Sequence, residues 1–137
     1  MRTAALGLAL AGIAALFAGC ASHPDQPGPA QASAPELVSR FEAASAISDA
    51  ATRDQALVEV AWLGAQAGDS RVVLNCLGAM RGSPVRDQAA YRCSGRLAED
   101  GWVPQAVAVA QTIGDSTVRD RALSKIAQSS PYPVAPQ

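Results

Sequence analysis

Cys76 and Cys93 are the residues of this sequence whose type and placement most invite a chemical role. Both take core-type positions in consecutive segments with helical apolar spacing, and a stagger of four residues separates them by about 6 Å along the helix axis. A disulfide requires Cα atoms within about 7 Å of each other. The pair is therefore either a disulfide or two buried free thiols that pack as small apolar side chains. A catalytic redox role is least favoured, because no Cys-x-x-Cys spacing is present.

The remaining reactive side chains form no recognisable catalytic or metal site. The single histidine, His23, has no neighbouring ligand residues, and Glu99 and Asp100 are adjacent, so on a helix they point about 100° apart. The sequence has neither a glycine-rich phosphate loop nor a Gly-x-Ser-x-Gly nucleophile turn. We therefore expect a protein that is not an enzyme and that binds no cofactor or metal.

The composition indicates a small helical domain. Of the 137 residues, 30 are alanine and only 4% are aromatic. Alanine has the highest helix propensity and offers little to a pleated sheet, so the predicted fold class is all-α. The formal net charge of -1 lacks the basic excess that is typical of nucleic-acid-binding proteins, so nucleic acid is not an expected partner.

Residues 1–19 have the layout of a signal peptide. Arg2 is followed by an uncharged stretch that ends in LFAG before Cys20, and this stretch is shorter than the ~20 apolar residues of a membrane-spanning helix. The pattern LFAG-Cys20 resembles the lipobox of bacterial lipoproteins. The resemblance implies cleavage before Cys20, acyl chains on Cys20 and a membrane anchor. The alternative is an ordinary signal peptide in which Cys20 is incidental. Ala21 stands where Asp would favour inner-membrane retention, so, if the cell is Gram-negative, the resemblance implies the outer membrane, facing the periplasm.

Three further segments follow the signal peptide. Residues 20–35 are predicted to be a tether, because their prolines and small polar residues cannot build a core. A flexible segment of this length reaches about 20 Å. Residues 36–128 form the predicted folded domain. Residues 129–137, which include Pro131, Pro133 and Pro136, form a predicted disordered Pro-rich tail.

A 33-residue period organises the predicted domain. The sequences RDQAL at 53–57, RDQAA at 86–90 and RDRAL at 119–123 stand one period apart, and Gly68 matches Gly101. Apolar positions keep the same register, as Ile47, Met80 and Ile113 do. A fixed period in the low thirties is typical of a helical repeat array. The apolar spacing predicts six helices, at 36–47, 51–66, 70–80, 84–99, 103–113 and 117–128.

This pattern resembles tetratricopeptide-like (TPR-like) repeats. Leu57, Val60 and the turn at Gly68 fall where that family has apolar and turn residues, although Gly64 stands where a Tyr is common. The resemblance implies a short right-handed α-solenoid of antiparallel helix pairs, with a concave groove lined by the first helix of each pair. The positions that match groove-facing sites are Gln55, Val58, Trp62, Gln88, Tyr91, Arg121 and Ser124.

The Arg-Asp step of each repeat has a structural and a binding interpretation. Arg53 follows Asp49 by four residues and Arg119 follows Asp115 by four, so i,i+4 ion pairs are expected. The aspartate of each step falls in a first turn, where the helix dipole favours it. We favour the structural interpretation over a ladder of binding residues, because such pairs are weak and common.

The expected function is binding, by a membrane-anchored lipoprotein that serves as a protein- or peptide-binding scaffold or assembly factor of the cell envelope. Trp62, Tyr91 and Arg121 are the candidate anchors, because these residue types dominate interfaces. Core packing is an equal alternative for Trp62. The second interpretation is a structural or inhibitory, immunity-type envelope lipoprotein without catalytic activity. A short repeat array also leaves apolar end faces, which permits self-association.

Overall fold

The computed structural model describes residues 33–129. The predicted signal peptide, Cys20, most of the tether and the tail from residue 130 onward lie outside the described residues. All regular elements of residues 33–129 are α-helices, which confirms the all-α class. The helices are α1 (Ala34–Ser45), α2 (Ala50–Gln66), α3 (Ser70–Ala79), α4 (Ser83–Glu99), α5 (Val103–Ala110) and α6 (Ser116–Gln128). None of these helices is long and apolar enough to cross a membrane.

Helix starts coincide with capping residues in the sequence. The carboxylates of Asp49 and Asp115 accept hydrogen bonds from the amides three residues further on, at 2.8 Å and 2.9 Å, and so cap α2 and α6. Asp69 caps α3 in the same way. The first helix begins at Ala34 with Pro35 in its first turn, so the folded segment starts two residues before the predicted boundary at 36.

The ends of α1 and α5 come earlier than the apolar spacing predicts. These helices end at Ser45 and Ala110, whereas the predicted ends are 47 and 113. After α5 the chain tightens, and the Ile113 amide bonds to the Ala110 carbonyl at 3.2 Å. Ile113 is nevertheless buried. The turn therefore keeps the apolar residue in the core, and the apolar period continues beyond the end of the helix.

The helices form two layers. One layer contains α2, α4 and α6, the other contains α1, α3 and α5, and consecutive helices pack across the two. Within residues 33–129, every pair of contacting helices is one or two positions apart along the chain. The core lies between the layers and is built mainly of aliphatic side chains. Its largest fully buried hydrophobic side chains are Leu37, Leu57, Leu77, Leu97, Ile113, Val73 and Val109.

Cys76 and Cys93 lie in this core as free thiols, so the disulfide considered from the sequence is not formed in this structure. Burial raises the pKa of each thiol to about 12. Thiol–disulfide exchange proceeds through the thiolate, which such an environment strongly disfavours. In this structure both cysteines pack as small apolar side chains.

Two equivalent glycine turns join the layers. Gly68 and Gly101 have φ of 72° and 84°, in the left-handed region that favours glycine. The residue after each glycine donates its amide to the carbonyl five residues before it, at 2.9 Å and 2.8 Å, which closes a Schellman turn. The Trp102 indole lies against Gly68 of the preceding helix pair, 2.9 Å from where a Cβ would stand.

Candidate functional site

A concave groove lies between the N-terminal halves of α4 and α6. Its volume is about 650 Å³, within the range of sites that hold a ligand or a short peptide segment. Gln88 and Tyr91 of α4 and Arg121 of α6, three of the residues selected from the sequence, line it together. The full lining is Ser83, Pro84, Arg86, Asp87, Gln88, Tyr91, Gly114, Asp115, Val118 and Arg121.

Asp87 fixes the floor of this groove. Its carboxylate is largely buried and accepts hydrogen bonds from the amides of Gly114, at 3.1 Å, and Asp115, at 2.9 Å. Arg86 also pairs with it, at 3.4 Å. Burial raises the pKa of the Asp87 carboxyl, but the two amide hydrogen bonds and the neighbouring guanidinium outweigh burial and lower the pKa below its usual value. Asp87 therefore holds the turn between α5 and α6 against the start of α4.

The same contact occurs one repeat earlier. Asp54, the repeat equivalent of Asp87, accepts hydrogen bonds from the amides of Arg81 and Gly82, at 3.3 Å and 2.9 Å. These amides are the repeat equivalents of Gly114 and Asp115. The aspartates were expected in the first turn of their own helix, where the helix dipole would favour them, but each is the fifth residue of its helix and lies beyond that turn. They instead bind the turn that begins the next even-numbered helix, so each ties one repeat to the following one.

The expected i,i+4 pairs of Arg53 with Asp49 and of Arg119 with Asp115 are not among the ion pairs of residues 33–129. The guanidinium groups instead donate to the carbonyls of residues 47 and 113, at 3.3 Å and 3.2 Å. The carboxylates are engaged as helix caps. A carbonyl left free at a helix end is the better partner for a half-buried guanidinium, because it has no other donor.

The other selected residues lie around the groove or outside it. Trp62 is half-buried, and the Arg92 guanidinium of α4 sits 5.1 Å from its ring centre, a cation–π contact. Val58 is half-buried against the core. The exposed Gln55 donates to Glu59, and the exposed Ser124 accepts from Gln128. Gln88, Tyr91 and Arg121 thus line the same groove. Gln55, Val58 and Trp62 lie on α2, one repeat earlier, outside the lining of this groove.

The electrostatic character of the groove follows from which charges already have partners. The Asp87 carboxylate is occupied by turn amides and Arg86, and the Asp115 carboxylate by the start of α6. Arg121 is exposed, and within residues 33–129 no carboxylate pairs with it. The groove therefore offers an exposed guanidinium beside the half-buried ring of Tyr91.

No family model, curated protein or solved structure matches this chain. The described residues also hold no cluster of three or more histidine, cysteine, aspartate or glutamate side chains placed to bind a metal ion.

The sequence missed the role of Asp87 and Asp115 in shaping the groove. A signal was present, because the aspartate recurs at one position of every repeat and so can meet the same feature of the neighbouring unit. Its hydrogen-bond partners are backbone amides, which nearly every residue type has, so the sequence does not show which residues they belong to. Only the packing of consecutive repeats reveals the pairing.

Proposed function

We propose that this protein is a peptide- or protein-binding repeat protein, a short right-handed TPR-like α-solenoid that binds its partner in the α4–α6 groove. The observation that carries the proposal is that Gln88, Tyr91 and Arg121 line one groove. The two-layer packing, in which contacting helices are neighbours or next neighbours, supports the solenoid. An aromatic ring, an amide and an exposed guanidinium are typical anchors for a peptide.

The charges of the groove favour a segment that carries a carboxylate beside an apolar side chain. Arg121 would bind the carboxylate, because a guanidinium binds it in a bidentate manner. Tyr91 and Val118 would contact the apolar group. Since the carboxylates of the groove already have partners, they repel an acidic ligand less than free carboxylates would.

We further propose that the domain is anchored to the outer membrane, facing the periplasm, through acyl chains on Cys20. The support is the lipobox-like sequence LFAG-Cys20 and the tether composition of residues 20–35. A tether that reaches about 20 Å would hold the domain near the membrane while leaving the groove accessible. Such a protein would act as a scaffold or assembly factor of the cell envelope.

The lipid anchor is tested by metabolic labelling with an alkyne fatty acid. We expect the wild-type protein to be labelled and to sediment with membranes, and Cys20→Ser to lose both properties. Cys76→Ala is the matched control, because it removes a buried cysteine at a position where a neighbouring repeat has Ala43. Label that persists in Cys20→Ser would show that Cys20 is not the acylation site.

The groove is tested by replacing Gln88 with a photo-crosslinking amino acid in the full-length protein in cells. We expect one dominant crosslinked partner, which Arg121→Glu reduces at least about tenfold through loss of a charge-assisted hydrogen bond. Gln111 is the control position, because it is an exposed glutamine outside the groove. Arg71→Glu is the control variant, because Arg71 is an exposed arginine on α3.

Two results would contradict the groove assignment. One is an equal crosslinking pattern from positions 88 and 111. The other is a partner whose capture at position 88 is unchanged by Arg121→Glu. Circular dichroism of each variant would confirm that the helices remain intact.

A further inference from the structure

A second apolar surface lies outside the groove, between α5 and α6. Val103 and Val107 of α5 and Leu123, Ile126 and Ala127 of α6 line a depression of about 310 Å³. We call it the end face. Within residues 33–129, no helix covers it.

The α6 side of the end face corresponds by repeat position to buried residues of α2, the helix that packs on α3. Leu57, Val60 and Ala61 of α2 correspond, two repeats later, to Leu123, Ile126 and Ala127 of α6. Two of the three residue types are identical, and the third exchanges one β-branched aliphatic for another. Ala61 is fully buried, whereas Ala127 is exposed. The difference arises because α3 follows α2, whereas no described helix follows α6.

Asp120 completes this correspondence. It stands two repeats after Asp54, whose carboxylate binds the turn amides of Arg81 and Gly82 directly after α3. Asp120 itself is exposed, and no hydrogen bond to its carboxylate occurs within residues 33–129. The end face thus combines an apolar helix-binding surface with a carboxylate placed for the turn that follows such a helix.

From this correspondence we infer that the end face binds an amphipathic helix of a partner protein in the position that α3 holds on α2. The helix presents aliphatic side chains in the pattern of Val72, Val73 and Cys76, and the turn after it donates two backbone amides to Asp120. This is a second binding surface, beyond the proposed function of the α4–α6 groove and independent of it.

A second copy of this chain fits the end face less well. The helix that a copy could offer in register is α1, since it precedes the first repeat. Arg40 and Ser39 of α1 stand at the repeat positions of Val73 and Val72, both of which are buried in α3. Placing a guanidinium against the apolar end face is costly, so the occupant is a helix with an apolar pattern at these positions.

The test uses a peptide of residues 69–83, which contains α3, its cap and its turn. Position 76 is changed to alanine, and a hydrocarbon staple joins positions 71 and 75, which are exposed in α3, so that helix formation does not limit binding. A second peptide, of residues 69–79, lacks the turn. Both end in a dimethylamide, which donates no hydrogen bond. Fluorescence anisotropy measures their affinity for the full-length protein.

We expect saturable binding of the longer peptide. Ala127→Lys reduces its affinity at least about tenfold, because a charge then enters the apolar face. Asp120→Ala reduces the affinity of the longer peptide about tenfold and leaves that of the shorter peptide unchanged, because only the longer one has turn amides. Gln88→Ala, in the groove on α4, adds no charge beside Asp120 and leaves both affinities unchanged, which separates this surface from the proposed function.

Three results with the wild-type tail would overturn the inference: no saturable binding, binding that is insensitive to Ala127→Lys, or an Asp120→Ala effect of equal size on both peptides. A fourth is peptide binding that appears only after residues 130–137 are deleted. That result would show that the tail of this chain occupies the end face. Sedimentation of the protein alone completes the test, because a dimer that Ala127→Lys dissociates would assign the end face to a second copy.

Discussion

Replacing Asp87 by alanine is expected to lower the free energy of unfolding by about 3 kcal/mol, since two turn amides lose a buried ionised acceptor. In a domain of this size the change lowers the Tm by about 12–24 °C. Thermal and urea unfolding followed by circular dichroism measure it.

Asp120→Ala is the matched control for this substitution. It removes the same side chain at the same repeat position, but Asp120 is exposed and accepts no hydrogen bond within residues 33–129. Its expected effect on the free energy of unfolding is within about 0.5 kcal/mol. Equal effects of the two substitutions would mean that the turn contacts of Asp87 do not stabilise the fold.

Acid unfolding gives an independent check on Asp87. Its pKa is lower in the folded protein than in the unfolded chain, so the unfolded chain binds the proton first as pH falls. The stabilisation is therefore complete above the unfolded pKa, about 3.9, and is lost as pH falls through the lower folded pKa. Asp87→Asn should flatten the stability profile in this window. Some acid dependence should remain, because hydrogen bonds from Thr52 also lower the pKa of Asp49.

The second large effect is expected for Gly68→Ala, which should lower the free energy of unfolding by about 3 kcal/mol. About 1–2 kcal/mol comes from placing a Cβ at positive φ, where an L-residue is strained. The remainder comes from Trp102, which is 46% exposed, because the new Cβ would stand 2.9 Å from two atoms of its indole ring, so the ring or the turn must move. Denaturant unfolding of the variant measures the sum.

Gly101→Ala separates these two contributions. Gly101 has the same positive φ in the equivalent turn, but no atom lies within 4 Å of its Cβ position, so this variant should show the backbone cost alone. In a Trp102→Ala background, the cost of Gly68→Ala should fall to that of Gly101→Ala. If the cost of Gly68→Ala is unaffected by removal of the indole, the contact with Trp102 is not the source of the difference.

Much of the fold follows from local sequence. The apolar spacing predicted the starts of α2 and α6 within one residue, and the structure shows Asp49 and Asp115 capping these two helices. The end of α5 was misplaced, because Ile113 is buried from a turn and so continues the apolar period beyond the helix. Apolar spacing reports which residues face the core, and it does not report the hydrogen bonding of the backbone between them.

The candidate site was only partly accessible from the sequence. The resemblance to TPR-like repeats selected Gln88, Tyr91 and Arg121 as groove-facing residues, and the structure brings these three into one groove. The sequence could not show that Arg92 of α4 lies over the ring of Trp62. That contact depends on the distance between α2 and α4 and on how each helix is rotated about its axis.

The sequence by itself determined the helices, their caps, the glycine turns and the repeat period, because these depend on local residue types and on their recurrence along the chain. Only the tertiary structure decided that Asp54 and Asp87 bind the turns of the following repeat, that Trp102 lies on Gly68, and that no helix of residues 33–129 covers the α6 copy of the α2 surface. The aspartate and Trp102 contacts join residues about one repeat apart along the chain. The exposure of the α6 surface depends on whether another helix packs beside it. The packing of one repeat on the next determines them, and residue type alone does not.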